Sequence, residues 1–104
     1  MIKRFKIQGH SMEPAIQAGQ QFFVSRTSKP QPGDVVVIKH PQKKMFLVKR
    51  VKEELENGEF LVAGDNPEHS EDSRNFGAVK KEQIVGKLSF RYWPLKKIGF
   101  LKQS

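Results

Sequence analysis

Six short runs of β-type residues, each closed by turn chemistry, limit what this chain can fold into. Phe5 to Gln8, Gln21 to Arg26, Asp34 to His40, Met45 to Lys52, Glu59 to Ala63 and Ile84 to Tyr92 are rich in Val, Phe, Ile and Leu, side chains that suit a pleated, half-buried surface. Between them, Lys29-Pro30-Gln31-Pro32-Gly33-Asp34, His40-Pro41-Gln42-Lys43-Lys44, Glu56-Asn57-Gly58-Glu59 and Asp65-Asn66-Pro67 supply Gly, Pro or Asn where the backbone must reverse. Asn57-Gly58 is the strongest hairpin turn among them. The pattern predicts a mostly β fold of mixed antiparallel strands with one or two short helical turns. One turn is expected at Ser11-Met12-Glu13-Pro14-Ala15-Ile16, where Ser can cap and Pro is tolerated in the first turn. The other is expected at Val79 to Gln83.

A chain of 104 residues holds one modest core. Residues 1–104 are therefore read as a single domain, with its core over about 5–93 and a basic, aromatic tail over 94–104. The longest apolar runs, Val35 to Ile38 and Phe46 to Val48, fall far short of the roughly 20 residues that cross a bilayer, and the start Met1-Ile2-Lys3-Arg4-Phe5 lacks the apolar stretch of a secretory signal. The expectation is a soluble, cytoplasmic protein, with a position at a membrane surface as the alternative. The absence of cysteine excludes disulfides, a thiol nucleophile and thiolate metal sites.

The net charge of +8 invites an anionic partner, and Lys80, Lys81, Lys87, Arg91, Lys96, Lys97 and Lys102 face only Glu82 toward the end of the chain. A small basic β-barrel gripping nucleic acid would fit that charge, although no nucleic acid is expected if the motifs below carry the function. In the tail, Phe90, Tyr92, Trp93, Leu95, Ile98, Phe100 and Leu101 interleave with cations. Either this segment touches an anionic membrane surface, or Tyr92 and Trp93 finish the core and the last residues fray.

Four motifs stand apart from the strand pattern: Gly9-His10-Ser11-Met12-Glu13-Pro14, Pro32-Gly33-Asp34-Val35-Val36-Val37, Leu47-Val48-Lys49-Arg50-Val51, and Gly64-Asp65-Asn66-Pro67-Glu68-His69-Ser70-Glu71-Asp72-Ser73-Arg74. Ser11, at a tight turn, is either a helix cap or a hydroxyl exposed beside backbone N–H groups that could hold an oxyanion. Strand alternation sets Leu47, Lys49 and Val51 on one face and Phe46, Val48 and Arg50 on the other, so one of two adjacent cations must face apolar surroundings. Lys49 either snorkels to water from an edge strand or serves as a base. For the latter its pKa must fall from about 10.4 by roughly three units, about 4 kcal/mol against the charged form, and burial is the usual cause. His10, His40 and His69 are expected at the surface, and neither His10 nor His69 has a motif that sets an orienting carboxylate beside it. Asp65, Glu68, His69, Glu71 and Asp72 crowd together but lack the glycine and terminal Glu spacing of a calcium loop, and no metal is expected. Asp34 is read as structural.

Taken together, the four motifs resemble the signal peptidase I family, whose boxes run Ser-Met-x-Pro, Gly-Asp, Lys-Arg-Val and Gly-Asp-Asn-x-x-x-Ser-x-Asp-Ser-Arg, over roughly residues 5 to 90. The resemblance implies a serine endopeptidase with a Ser/Lys dyad and no cofactor. Ser11 would be the nucleophile and Lys49 its base, with Ser70 orienting the amine. Asp72 and Arg74 would form an ion pair that holds the loop, and Met12 would pack below the dyad. The oxyanion hole would be mainly backbone, with the Ser11 N–H as donor and Gly9 shaping the approach. The substrate implied is an extended segment of a precursor protein, cut after small residues to remove a propeptide or signal segment.

The chain departs from larger family members after Val51, where Lys52-Glu53-Glu54-Leu55-Glu56-Asn57-Gly58 makes a simple polar hairpin. In this it resembles short, soluble members such as the one that matures nickel-type superoxide dismutase. A signal peptidase core separated from its membrane anchor is the other reading. Self-cleaving repressor and mutagenesis proteins share the Ser-Met and Val-Lys-Arg stretches but lack the Asp-Ser-Arg loop.

Overall fold

Strands form near all six expected places in the computed structural model, which describes residues 2–27, 29–69 and 72–101, although the first lies over Ile2–Lys6 and takes in only Phe5 and Lys6 of the expected Phe5 to Gln8. They are β1 (Ile2–Lys6), β2 (Gln21–Ser25), β3 (Val35–Lys39), β4 (Phe46–Glu54), β5 (Phe60–Ala63) and β6 (Ile84–Trp93), joined by a short β7 (Gly99–Phe100) that the sequence reading did not contain. Every pairing is antiparallel, in the order β1-β2-β6-β3-β4-β5, with β7 also on β6. The expected mostly β fold is therefore the observed one. β1 ends before Ile7, yet Ile7 still bonds across to Gln20 and Gly19 (2.8 and 2.9 Å). The Asn57-Gly58 turn closes the β4–β5 hairpin through Gly58 N–H to Leu55 C=O and Leu55 N–H to Glu59 C=O (2.9 and 2.8 Å).

The helical content lies elsewhere than expected. Ser11 to Ile16 is a set of turns, with Glu13 N–H on His10 C=O (3.2 Å) and Ile16 N–H on Met12 C=O (3.0 Å). Pro14 brings no N–H to extend that ladder. The α-helix among the described residues, α1 (Ser73–Phe76), is instead capped by Asp72, whose carboxylate accepts the Arg74 N–H. Single 3-10 turns occupy Pro67–His69, Lys81–Gln83 and Leu95–Lys97, the second falling inside the expected Val79 to Gln83 turn.

β3 explains itself from its composition. Val35, Val36, Val37 and Ile38 are all buried, and alternate residues enter two apolar clusters on opposite faces. Val35 and Val37 join Ile7, Met12, Ile16, Phe22, Val24, Val48 and Leu88. Val36 and Ile38 join Val51, Phe60, Val62 and Val79, with Leu47 packed against them. Strand β4 is thus split as its alternation predicts, with Val48 on one face and Leu47 and Val51 on the other.

Where β6 crosses β2 the backbones pass so closely that a Cβ on Gly86 would lie 2.6 Å from the Ser25 carbonyl oxygen and 2.7 Å from a Val24 methyl. Gly86→Ala should therefore destabilise the fold by about 1–3 kcal/mol, the usual cost of overpacking. A denaturant midpoint equal to the wild type's would refute this. Among the described residues no helix is long and apolar enough to cross a membrane.

Candidate active site

The first and third motifs meet along one groove of about 640 Å³, lined on one side by residues 4–12 and on the other by residues 45–49. Strand pairing shapes it. β1 lies at the end of the strand order, and β5 pairs with β4 only from Arg50 onward, so the first half of β4 borders the groove. Gly9, Ser11, Met12 and Lys49 all line it.

Lys49 is only 1% exposed. It stands opposite Val36 in the β3–β4 register, between Leu47 and Val51 on the face of the second cluster. The snorkelling alternative is thereby removed. Burial of this kind disfavours an ammonium relative to a neutral amine, because the low-dielectric surroundings solvate charge poorly.

Ser11 is half-buried and Met12 is buried in the first cluster. Gly9 has a φ of 78°, in the left-handed region that favours glycine, and it swings the chain from β1 into the Ser11 turn. Because Ser11 opens turns and not a helix, any oxyanion donor here is an individual peptide N–H without a helix dipole behind it.

The fourth motif ties itself to both sides of this arrangement. Arg50, next to Lys49, places its Nε and Nη2 on the two carboxylate oxygens of Asp65 (3.0 and 2.9 Å) and its Nη1 on the Gly33 carbonyl (2.9 Å). The Asp65 hydrogen bond raises the Arg50 pKa, so this guanidinium stays charged. Asn66 then reaches the Ser11 turn, its main-chain N–H on Ser11 C=O (2.8 Å) and its Nδ2 on His10 C=O (3.1 Å).

Asp72 is fully buried. It accepts the Gly64 N–H (3.1 Å) and pairs with the Arg74 guanidinium, whose pKa it raises. The two residues expected to pair do pair. Ser70, expected to orient Lys49, lies outside the described residues.

Two expectations about polar residues are corrected. His40 is buried, not superficial: its Nδ1 accepts the Gln42 and Lys43 N–H groups (3.0 and 3.1 Å), and its ring packs on Phe76. His10 does have a carboxylate beside it, with Nδ1 2.7 Å from Glu13 Oε2, although its side chain is 59% exposed. The Asp65 and Asp72 carboxylates, grouped by sequence in one acidic loop, are engaged by different arginines. Arg50, Asp65 and Asn66 were not singled out as site residues, although the Lys-Arg-Val and Gly-Asp-Asn boxes contain them. Asp34 folds its own turn through the Gln31 N–H (3.0 Å) and meets Lys87 (3.3 Å), in keeping with a structural role.

Comparison with known proteins decides the relationship. The sequence profile described as Peptidase S24-like matches residues 3–89. The chain belongs to the Peptidase S24-like family. Similar proteins include signal peptidase IB of Staphylococcus aureus (strain MRSA252), 54% identical over 43 residues, covering 41% of this chain and 22% of that protein. Signal peptidase IB of Staphylococcus aureus (strain N315) is 62% identical over 37 residues, 36% of this chain and 19% of that protein. Signal peptidase I of Bacillus caldolyticus is 58% identical over 43 residues, 41% of this chain and 24% of that protein. The chain thus spans about a fifth to a quarter of the length of these relatives. The likeness to signal peptidase I expected from the four motifs holds at the level of the family.

Proposed function

We propose that this S24-like chain is a serine endopeptidase that removes an N-terminal propeptide or signal segment from a precursor protein. The observation that carries the reading is a buried lysine, Lys49, lining the same groove as Ser11. In the proposed reaction Ser11 Oγ attacks the scissile carbonyl and its proton passes to the neutral Lys49 amine. The carbonyl oxygen becomes an oxyanion at the Ser11 N–H. Collapse of the tetrahedral adduct breaks the C–N bond, and Lys49 delivers its proton to the leaving amine, which leaves an ester on Ser11. Water attacks that ester with Lys49 again taking the proton, and Lys49 returns it to Ser11 Oγ as the C–O bond breaks and the acid product departs. Ser70 is assigned to orient Lys49, Gly9 to shape the oxyanion site, Met12 to floor the groove, and the Asp72–Arg74 pair to hold the loop. No metal or organic cofactor enters these steps.

A groove between β1 and the start of β4 suits an extended peptide, which can hydrogen-bond to strand backbones while alternate side chains enter pockets. Under this reading the enzyme works in the cytoplasm, on a segment with small residues before the cut. Unprocessed nickel-type superoxide dismutase is the precursor to try first, beside peptides carrying secretory signal sequences. Incubation with the purified chain, followed by determination of the new N-terminus, tests the proposal. Failure to cut any of them would defeat it.

A second reading, contact with an anionic membrane surface, draws on the tail. Trp93, Leu95, Ile98 and Phe100 are exposed, Phe100 by 80%, and Lys96 and Lys97 lie among them, whereas Tyr92 packs on Phe23 and bonds Gln21. The chain should co-sediment with phosphatidylserine-containing vesicles and not with pure phosphatidylcholine. Replacing Leu95 and Phe100 by Glu should weaken that binding about tenfold or more, since both apolar area and charge attraction are lost. Equal sedimentation with both lipids would refute it.

A further inference from the structure

We propose that Asn66 is a positioning residue that sets the direction of the oxyanion-binding N–H. This rests on the Ser11/Lys49 reading and adds a residue to which that reading gives no role. The Ser11 N–H belongs to the same peptide unit as the His10 carbonyl. The His10–Ser11 bond is not among the cis peptides of the chain, and a planar trans unit points its C=O and N–H in opposite directions. Whatever holds the His10 carbonyl therefore aims the Ser11 N–H. Among the described residues the Asn66 side-chain amide donates to it at 3.1 Å and the Glu13 N–H at 3.2 Å. The next peptide unit is held as well, because the Asn66 main-chain N–H binds the Ser11 carbonyl at 2.8 Å. One residue thus grips both peptides that flank the nucleophile.

The surroundings of Asn66 make that grip firm. Its neighbour Asp65 is clamped by both ends of the Arg50 guanidinium fork, a bidentate geometry that fixes direction as well as distance. Arg50 follows Lys49 on β4. Asn66 consequently connects the strand that carries the base to the turn that carries the nucleophile. Loss of its side-chain donor leaves the Glu13 N–H bond on the His10 carbonyl, in an exposed, non-helical segment whose preceding residue is the permissive Gly9. An oxyanion donor stabilises the transition state only if it already points at the developing charge.

Asn66→Ala removes the side-chain donor, and Asn66→Asp removes it while keeping the shape and the main-chain bond. In both variants kcat should fall about 10- to 100-fold, somewhat below the loss for a deleted oxyanion donor. In Asn66→Ala, KM should stay within about twofold and the pH profile should keep its position, because substrate and Lys49 are not touched. The probe is an internally quenched peptide spanning whichever junction the wild-type chain cuts. A second readout needs no substrate: the Ser11 and Met12 amide resonances should be single and sharp in the wild type and should broaden or double in both variants, while those of β3 and β6 stay in place. Full kcat with an unchanged Ser11 resonance would overturn the proposal. So would a loss expressed in KM alone, or one that only follows a lowered melting temperature. Cleavage that survives Ser11→Ala would instead overturn the dyad reading, leaving the resonance test of Asn66 standing by itself.

Discussion

Ser11→Ala and Lys49→Met are each expected to lower kcat by about 10⁴-fold or more, the scale on which removal of a nucleophile or its base acts in serine peptidases. Both variants should fold. Ser11 sits in a turn whose hydrogen bonds use main-chain atoms and Asn66. Methionine replaces Lys49 by an unbranched side chain of similar length among Val36, Leu47 and Val51. The double variant should be no slower than either single one, because the two groups of the proposed dyad would act as a unit. His10→Gln is the control. His10 and Glu13 have the look of a His–carboxylate pair, and retention of activity in His10→Gln beside its loss in Lys49→Met would assign the base to the lysine. Rate constants for peptide cleavage, with circular dichroism as the check on folding, measure all four proteins. Activity within tenfold of wild type in Lys49→Met would end the dyad proposal.

The second large effect is on stability. Arg50→Ala should lower the free energy of unfolding by about 2–4 kcal/mol, toward the lower end of the range for breaking a buried ion pair. The Arg50 and Asp65 side chains retain 11% and 18% of their exposure, so solvent screens part of the interaction. What is lost is specific: Asp65 keeps its charge without its fork, and the Gly33 carbonyl loses a charged donor. For a domain of about this size the shift corresponds to a melting temperature lower by about 10–20 °C. Arg50→Lys should recover only part of it, because an ammonium cannot engage both oxygens of Asp65 in the same plane. A melting curve of Arg50→Ala within a few degrees of wild type would show that the clamp contributes little.

Legibility differed from element to element for physical reasons. The strands were visible because their signal is local. Val35-Val36-Val37-Ile38 can be comfortable only where both faces are covered, and the alternation of Leu47, Lys49 and Val51 against Val48 and Arg50 is the pleat written in residue types. Asn57-Gly58 announced its own turn. The α1 helix was invisible because it has no apolar period; it exists through the Asp72 cap and the Ser73 hydroxyl bonded to Val62 N–H at 2.9 Å. The reverse error at Ser11 to Ile16 has the same root. A capping serine and a first-turn proline permit a helix, but Met12 and Ile16 drawn into the core leave only a turn.

Among the candidate site residues, composition and order along the chain were enough to single out a serine and a lysine and to place the lysine on an apolar face. Both statements concern a residue and its near neighbours, which backbone periodicity governs. What lies far apart in the chain was settled by folding alone. Arg50 is fifteen positions from Asp65 and Asn66 is fifty-six from His10, and no local rule links such residues. The closing of β1 toward β4 to form one groove, the burial of His40 under Phe76 and the grip of Asn66 on the Ser11 turn all arise when the sheet bends and brings its strands around a shared core.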